Sequence, residues 1–105
     1  MVKKKKLPVR WDKFAKEEIK HVISYYKQYS TQGANNVMND ILKAASQLNL
    51  FPEKHPVEPV LGLPFRFIAV RDFKLIYYPT TKEIRIVDLF NCNQHPAKIT
   101  LKIIR

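Results

Sequence analysis

The sequence predicts an α+β fold: an N-terminal strand, then a two-helix antiparallel hairpin packed on a curled antiparallel sheet of about four strands. Three observations carry this. Between residues 13 and 48 the apolar positions recur every three or four residues, the period of a helix with one buried side. From residue 65 to residue 91 the period drops to two, and Phe, Ile, Val and Tyr dominate, as in half-buried strands. Pro52, Pro56, Pro59, Pro64 and Gly62 lie between the two regimes and mark an extended connector. A chain of 105 residues holds one domain (residues 1–105), and its twelve Phe, Tyr and Trp residues suffice for a real core.

Each element has its own signal. Residues 6–11 read as a short extended segment joining the sheet, with Pro8 suited to an edge because it lacks an N–H. Asp12 is placed to cap the first helix, whose early part Glu17 and Glu18 favour. Ala15, Ile19, Val22, Ile23 and Tyr26 form its apolar stripe. Ser30-Thr31-Gln32-Gly33 is a turn and a new N-cap. The second helix buries Ala34, Val37, Met38, Ile41, Leu42, Ala45 and Leu48, and Asn49 and Pro52 end it. Residues 65–71, 73–78 and 82–91 are three strands, and the short Arg71-Asp72 and Pro79-Thr80-Thr81 joints make them an antiparallel meander. Residues 99–104 form a closing apolar stretch, a short strand or a turn of helix.

Much chemistry is excluded. With only Gly33 and Gly62 there is no phosphate-cradling loop, so no nucleotide cofactor is expected. His21, His55 and His95 are isolated and Cys92 is the one cysteine, a pattern that supplies neither a metal site nor a disulfide framework. No apolar run reaches the ~18–20 residues that span a bilayer. Lys3–Lys6 resembles the start of a signal peptide, but Leu7-Pro8-Val9-Arg10-Trp11 is no apolar core for one. A reduced, cytoplasmic domain is expected, with no membrane partner.

Charge is the informative property. The net charge is +10, and it sits at both ends: residues 1–16 hold seven basic and one acidic residue, residues 66–105 eight and three. Such a basic surface suits phosphate or an acidic protein. Period-two alternation puts Arg66, Ile68 and Val70 on one side of their strand, and Lys74, Ile76 and Tyr78 on one side of the next. Arg85, Val87, Leu89 and Asn91 share a side of the third. Cationic side chains there would hold RNA phosphates while Tyr78 stacks on a base. Arg71 and Asn93 complete the candidate nucleic-acid contacts. Metal-free RNA cleavage needs a proton acceptor, a proton donor and charge stabilisation. His95 or Glu58 would move protons; Arg66, Lys74 and Arg85 would stabilise charge. Lys74 is taken as an exposed cation outside the core.

Across essentially the whole chain the sequence resembles the RelE/ParE superfamily of type II toxin–antitoxin toxins. The resemblance rests on Val9-Arg10-Trp11 leading into a helix with Ala15, the Tyr25-Tyr26…Ser30-Thr31…Ala34 hinge, and Ile41…Leu48…Phe51-Pro52. Phe65-Arg66-Phe67, the strand Phe73-Lys74-Leu75-Ile76-Tyr77-Tyr78, Ile84-Arg85-Ile86-Val87-Asp88-Leu89-Phe90 and the Gln94-His95-Pro96 close complete it. It implies a bacterial growth inhibitor, of the class that includes plasmid-stabilisation toxins, neutralised by a cognate acidic antitoxin. Two targets follow. The first expectation is the RelE-like activity, a metal-independent, ribosome-dependent mRNA endonuclease (mRNA interferase) with ribosome and mRNA as partners; gyrase inhibition is the alternative. ParE-like members inhibit DNA gyrase, and a weakened toxin that mainly binds its antitoxin is the remaining alternative. Residue by residue, the resemblance makes Lys74 the basic position of the central strand, Arg66 the Arg that leads into the sheet, and Glu58 the loop carboxylate serving as base. Where many members carry an Arg after the last long strand, this chain has Asn93, with His95 two residues on; an asparagine supplies no charge for a phosphorane.

Overall fold

The computed structural model describes residues 7–94 and 98–99. In chain order these form β1 (Val9–Trp11), α1 (Lys13–Lys27), α2 (Thr31–Ser46), β2 (Arg66–Val70), β3 (Phe73–Pro79) and β4 (Ile84–Asn91). The four strands make one open sheet in the order β1-β4-β3-β2. β2–β3 and β3–β4 are antiparallel, as the short joints require. β1 departs from the expected antiparallel sheet: it lies parallel to β4, with Val9 opposite Ile84 and Trp11 opposite Ile86. A return through two helices and two further strands permits either direction, and the sheet is therefore mixed. Lys3–Lys6 and most of residues 99–104 lie outside the described residues.

Both helices pack on one side of this sheet. Ala15 and Ile19 from α1, with Val37, Ile41 and Ala45 from α2, meet Val70, Phe73, Leu75, Tyr77, Ile84, Ile86 and Leu89 in the main core. The opposite face carries a second, smaller cluster, in which Ile76, Val87, Phe90 and Ile99 pack with Leu61, Phe65, Phe67 and Tyr78. The connector between α2 and β2 supplies its lid. Glu58 N–H donates to the Phe65 carbonyl at 2.9 Å, Gly62 N–H to the Glu58 carbonyl at 2.7 Å, and Phe67 N–H to the Pro56 carbonyl at 3.1 Å. Gly62 turns that chain with φ of 73°, a left-handed conformation that other residues adopt at a cost. Tyr77 is fully buried, and its hydroxyl donates to the Pro52 carbonyl, stitching the far end of the helical hairpin to the sheet.

The two helix starts differ. Ser30 caps α2 as expected, its Oγ accepting from Gly33 N–H at 2.9 Å. Asp12 does not cap α1 with its side chain. Its carboxylate instead accepts two hydrogen bonds from the Arg85 guanidinium, which the parallel β1–β4 pairing brings alongside. A charge-assisted fork from Arg is stronger than one neutral amide bond, so the ion pair wins the side chain.

Candidate functional site

The candidate basic residues do not share one surface. β2 and β3 pair in regular register, so Arg66 lies opposite Tyr77, on the helix side of the sheet, while Lys74 projects from the other side with Phe67 and Ile76. In β4 the alternation breaks. Ile76 faces Asp88 but Tyr77 faces Ile86, leaving Val87 as an extra, bulged residue. The expected common side of Arg85, Val87, Leu89 and Asn91 is thereby divided: Val87 packs in the outer cluster, Leu89 in the main core. A period-two count cannot register an inserted residue, and every side chain after it changes face.

Lys74 is also not the exposed cation expected of it. Its Nζ lies 2.8 Å from Glu58 Oε1 and 4.5 Å from the Phe67 ring centre; its side chain is 23% exposed, and Glu58 is fully buried. The second carboxylate oxygen of Glu58 accepts Val60 N–H at 2.6 Å. A carboxylate removed from water must be paired, and Lys74 is the cation that pairs it. Phe65 stands edge-on to Tyr78 nearby, with ring centres 5.5 Å apart. Glu58, Lys74, Phe67, Phe65 and Tyr78 thus share one side of the sheet, under and beside the connector.

The other cations are held elsewhere. Arg66 donates to the His55 carbonyl at 2.8 Å at the sheet's β2 edge, where the connector bridges to the strand through Val57. Arg71, at φ of 53° in the β2–β3 turn, reaches Asp40 of α2 at 2.7 Å. Arg85 forks onto Asp12, and that hydrogen bond raises its pKa further. Burial first, and then neighbouring Lys54, lower the pKa of His55. Burial pushes the Tyr77 hydroxyl up to about 12, so this group stays a hydrogen-bond donor. His95 lies outside the described residues.

Asn91 and Asn93 belong to a different place. With His21, Tyr25, Tyr26 and Asp72 they border an open cleft of about 380 Å³ between α1 and the turn end of the sheet. His21 and Tyr25 on α1 and Tyr29 just past its end follow one another at four-residue spacing, and the Tyr25 and Tyr29 rings are 5.4 Å apart. The Tyr29 hydroxyl's hydrogen bond raises the Tyr25 pKa. Sequence reasoning read His21 and Tyr26 separately and passed over this ladder; the signal was the repeated i, i+4 aromatic spacing. Among the described residues no group of three His, Cys, Asp or Glu side chains is arranged to hold a metal ion. None of their helices is long and apolar enough to cross a membrane.

Residues 9–96 match the family model of the ParE toxin of the type II toxin–antitoxin system, parDE. Among solved structures the chain is similar to one from the chromosomal ParDE TA system of P. aeruginosa. The TM-score is 0.71 and the identity 16%, over 81% of this chain and 95% of that one. At this identity the likeness is one of fold. No curated protein matches the chain in sequence.

Proposed function

We propose, since this chain belongs to the ParE toxin family of type II toxin–antitoxin systems, that it arrests growth by binding DNA gyrase and not by cutting RNA. The observation behind this is the engagement of every candidate cation among the described residues. Lys74 is held by Glu58, Arg85 by Asp12, Arg71 by Asp40 and Arg66 by a backbone carbonyl, on two sides of the sheet and at its rims. Stabilising a phosphorane calls for several positive groups aimed at one point in a shared pocket. Dispersed, partnered cations serve a binding protein as well as any other arrangement. Asn93, uncharged where the superfamily resemblance expects an Arg, fits the same view. The partner that neutralises the toxin is an acidic antitoxin, suited by charge to a chain of net +10.

Ribosome-dependent mRNA cleavage is the second reading, favoured by one observation: a carboxylate and an ammonium 2.8 Å apart, beside Phe65 and Tyr78. Glu58 is fully buried, so that chemistry requires the connector to lift. Two assays on the purified protein separate the readings. Inhibition of gyrase supercoiling, with intact mRNA on programmed ribosomes, is expected. Codon-positioned mRNA cuts with gyrase unaffected would reverse the assignment.

A further inference from the structure

Four lysines of α1 take no part in any contact described so far. At 100° per residue, Lys13, Lys16, Lys20 and Lys27 fall within about 60° of the helix circumference, on the flank beside buried Ile19. All four are exposed, and among the described residues none forms an ion pair. The row runs about 21 Å along the helix at 1.5 Å per residue. An open groove at its start adds Arg10, whose tie to Glu83 is loose at 3.8 Å. Glu17 is the acid on this side of the helix. Lys13 and Lys16 are three apart and Lys16 and Lys20 four apart, spacings at which like charges repel and weaken a helix. A surface helix that only needs solvation alternates its charges; this one accepts repulsion that a bound polyanion would relieve.

We propose that this row lies along the phosphate backbone of duplex DNA. The inference rests on the gyrase reading, since gyrase works on duplex DNA, and it assigns α1 to the nucleic acid. Lysine ammoniums act as point charges toward phosphate. Beside the row lie Ser24 and Glu17 on one flank and Ile23 on the other, where Lys20 and Lys27 line the groove that Ile23 and Met38 border. A rigid duplex presents charge in a line already, and about 21 Å spans roughly six base pairs at 3.4 Å each. An acidic amphipathic peptide seated over Ile23 and Met38, which border the groove between the helices, is the competing occupant.

The test is fluorescence anisotropy of a labelled 20-base-pair duplex against salt, for the full chain and its Lys16→Gln/Lys20→Gln variant. Both substitutions are on exposed positions, and circular dichroism checks that the variant folds. Each phosphate contact contributes about −0.9 to the slope of log K against log salt, so the variant's slope should be shallower by about 1.8. The comparison cancels any binding by Lys3–Lys6, which is the same in both proteins. Equal slopes, no binding to duplex, or displacement of the duplex by a smaller amount of polyglutamate charge would overturn the proposal, the last in favour of an acidic protein. Gyrase supercoiling by the unmodified chain is measured alongside. Inhibition with equal slopes removes the DNA row and leaves the gyrase reading standing. A slope difference without inhibition does the reverse.

Discussion

Replacing Lys74 with Met should unfold this domain more readily than almost any other single surface-strand change. The perturbation removes the partner of a fully buried carboxylate, leaving Glu58 with the Val60 amide alone. Breaking a buried ion pair by removing one member costs about 3–5 kcal/mol. Lys74 is partly exposed, so water can follow it out and the lower end, about 3 kcal/mol, is expected. That is a large share of the ~5–15 kcal/mol typical of a domain. At about 4–8 °C per kcal/mol for a domain near this size, the melting point should fall by roughly 12–24 °C. Glu58→Gln should cost less, because the unpaired ammonium left behind reaches solvent. Combining the two removes both charges and should recover most of the loss, with a coupling of at least ~2 kcal/mol. The assay is urea denaturation followed by circular dichroism across the four-protein cycle. Independent sites add within about 0.3–0.5 kcal/mol. Additivity at that level, or a loss below ~0.5 kcal/mol for Lys74→Met, would show that the pair does not anchor the connector. A toxicity defect in Lys74→Met alone therefore reports on folding, and only the paired variant tests the site.

Four further expectations follow from the packing. Ile41→Ala, at a fully buried position of α2, should cost about 2–5 kcal/mol in a urea titration. Tyr77→Phe strands the Pro52 carbonyl in the interior and should cost about 1–3 kcal/mol by the same measurement. Ser30→Ala should cost about 1 kcal/mol through the lost α2 cap, whereas Asp12→Ala should act through Arg85 and respond to added salt. His55 has its folded pKa below the ordinary 6.5, so just below that pH the unfolded chain binds more protons and stability falls as pH drops. His55→Asn should lose that component, seen as a smaller decline in melting point between about pH 7.5 and pH 5.5; an identical decline in both proteins would refute it.

Local rules reached the elements, and longer-range contacts rearranged their side chains. The helical hairpin was legible because Ile19, Val37 and Ile41 obey one period and Ser30 sits where a cap belongs. The three-strand meander was legible because a two-residue joint admits only an antiparallel return. The direction of β1 was not, since nothing in Val9-Arg10-Trp11 encodes which neighbour it will meet. Asp12 was read as a cap because Arg85 is 73 residues away. The division of the basic face has two sources: the β2–β3 register sets Arg66 and Lys74 on opposite sides, and one bulged residue, Val87, parts Arg85 from Leu89 and Asn91. Glu58 was singled out by resemblance as a loop carboxylate. Its burial depends on how the connector folds over the sheet, which no pattern of prolines specifies.

The parallel pairing of β1 with β4 also sets a clock on synthesis. Asp12 and Arg85 are 73 residues apart, and at 5–20 residues per second roughly 4–15 s separate their emergence from the translating ribosome. Through that interval the nascent chain holds Trp11 and the apolar stripe of α1 without the sheet that will cover them. The meander closes through local turns, whereas docking β1 also carries the entropy of a long loop. The outermost strand is thus made first and seated last. A partner translated beforehand would meet a half-covered sheet and could engage it before the finished edge exists.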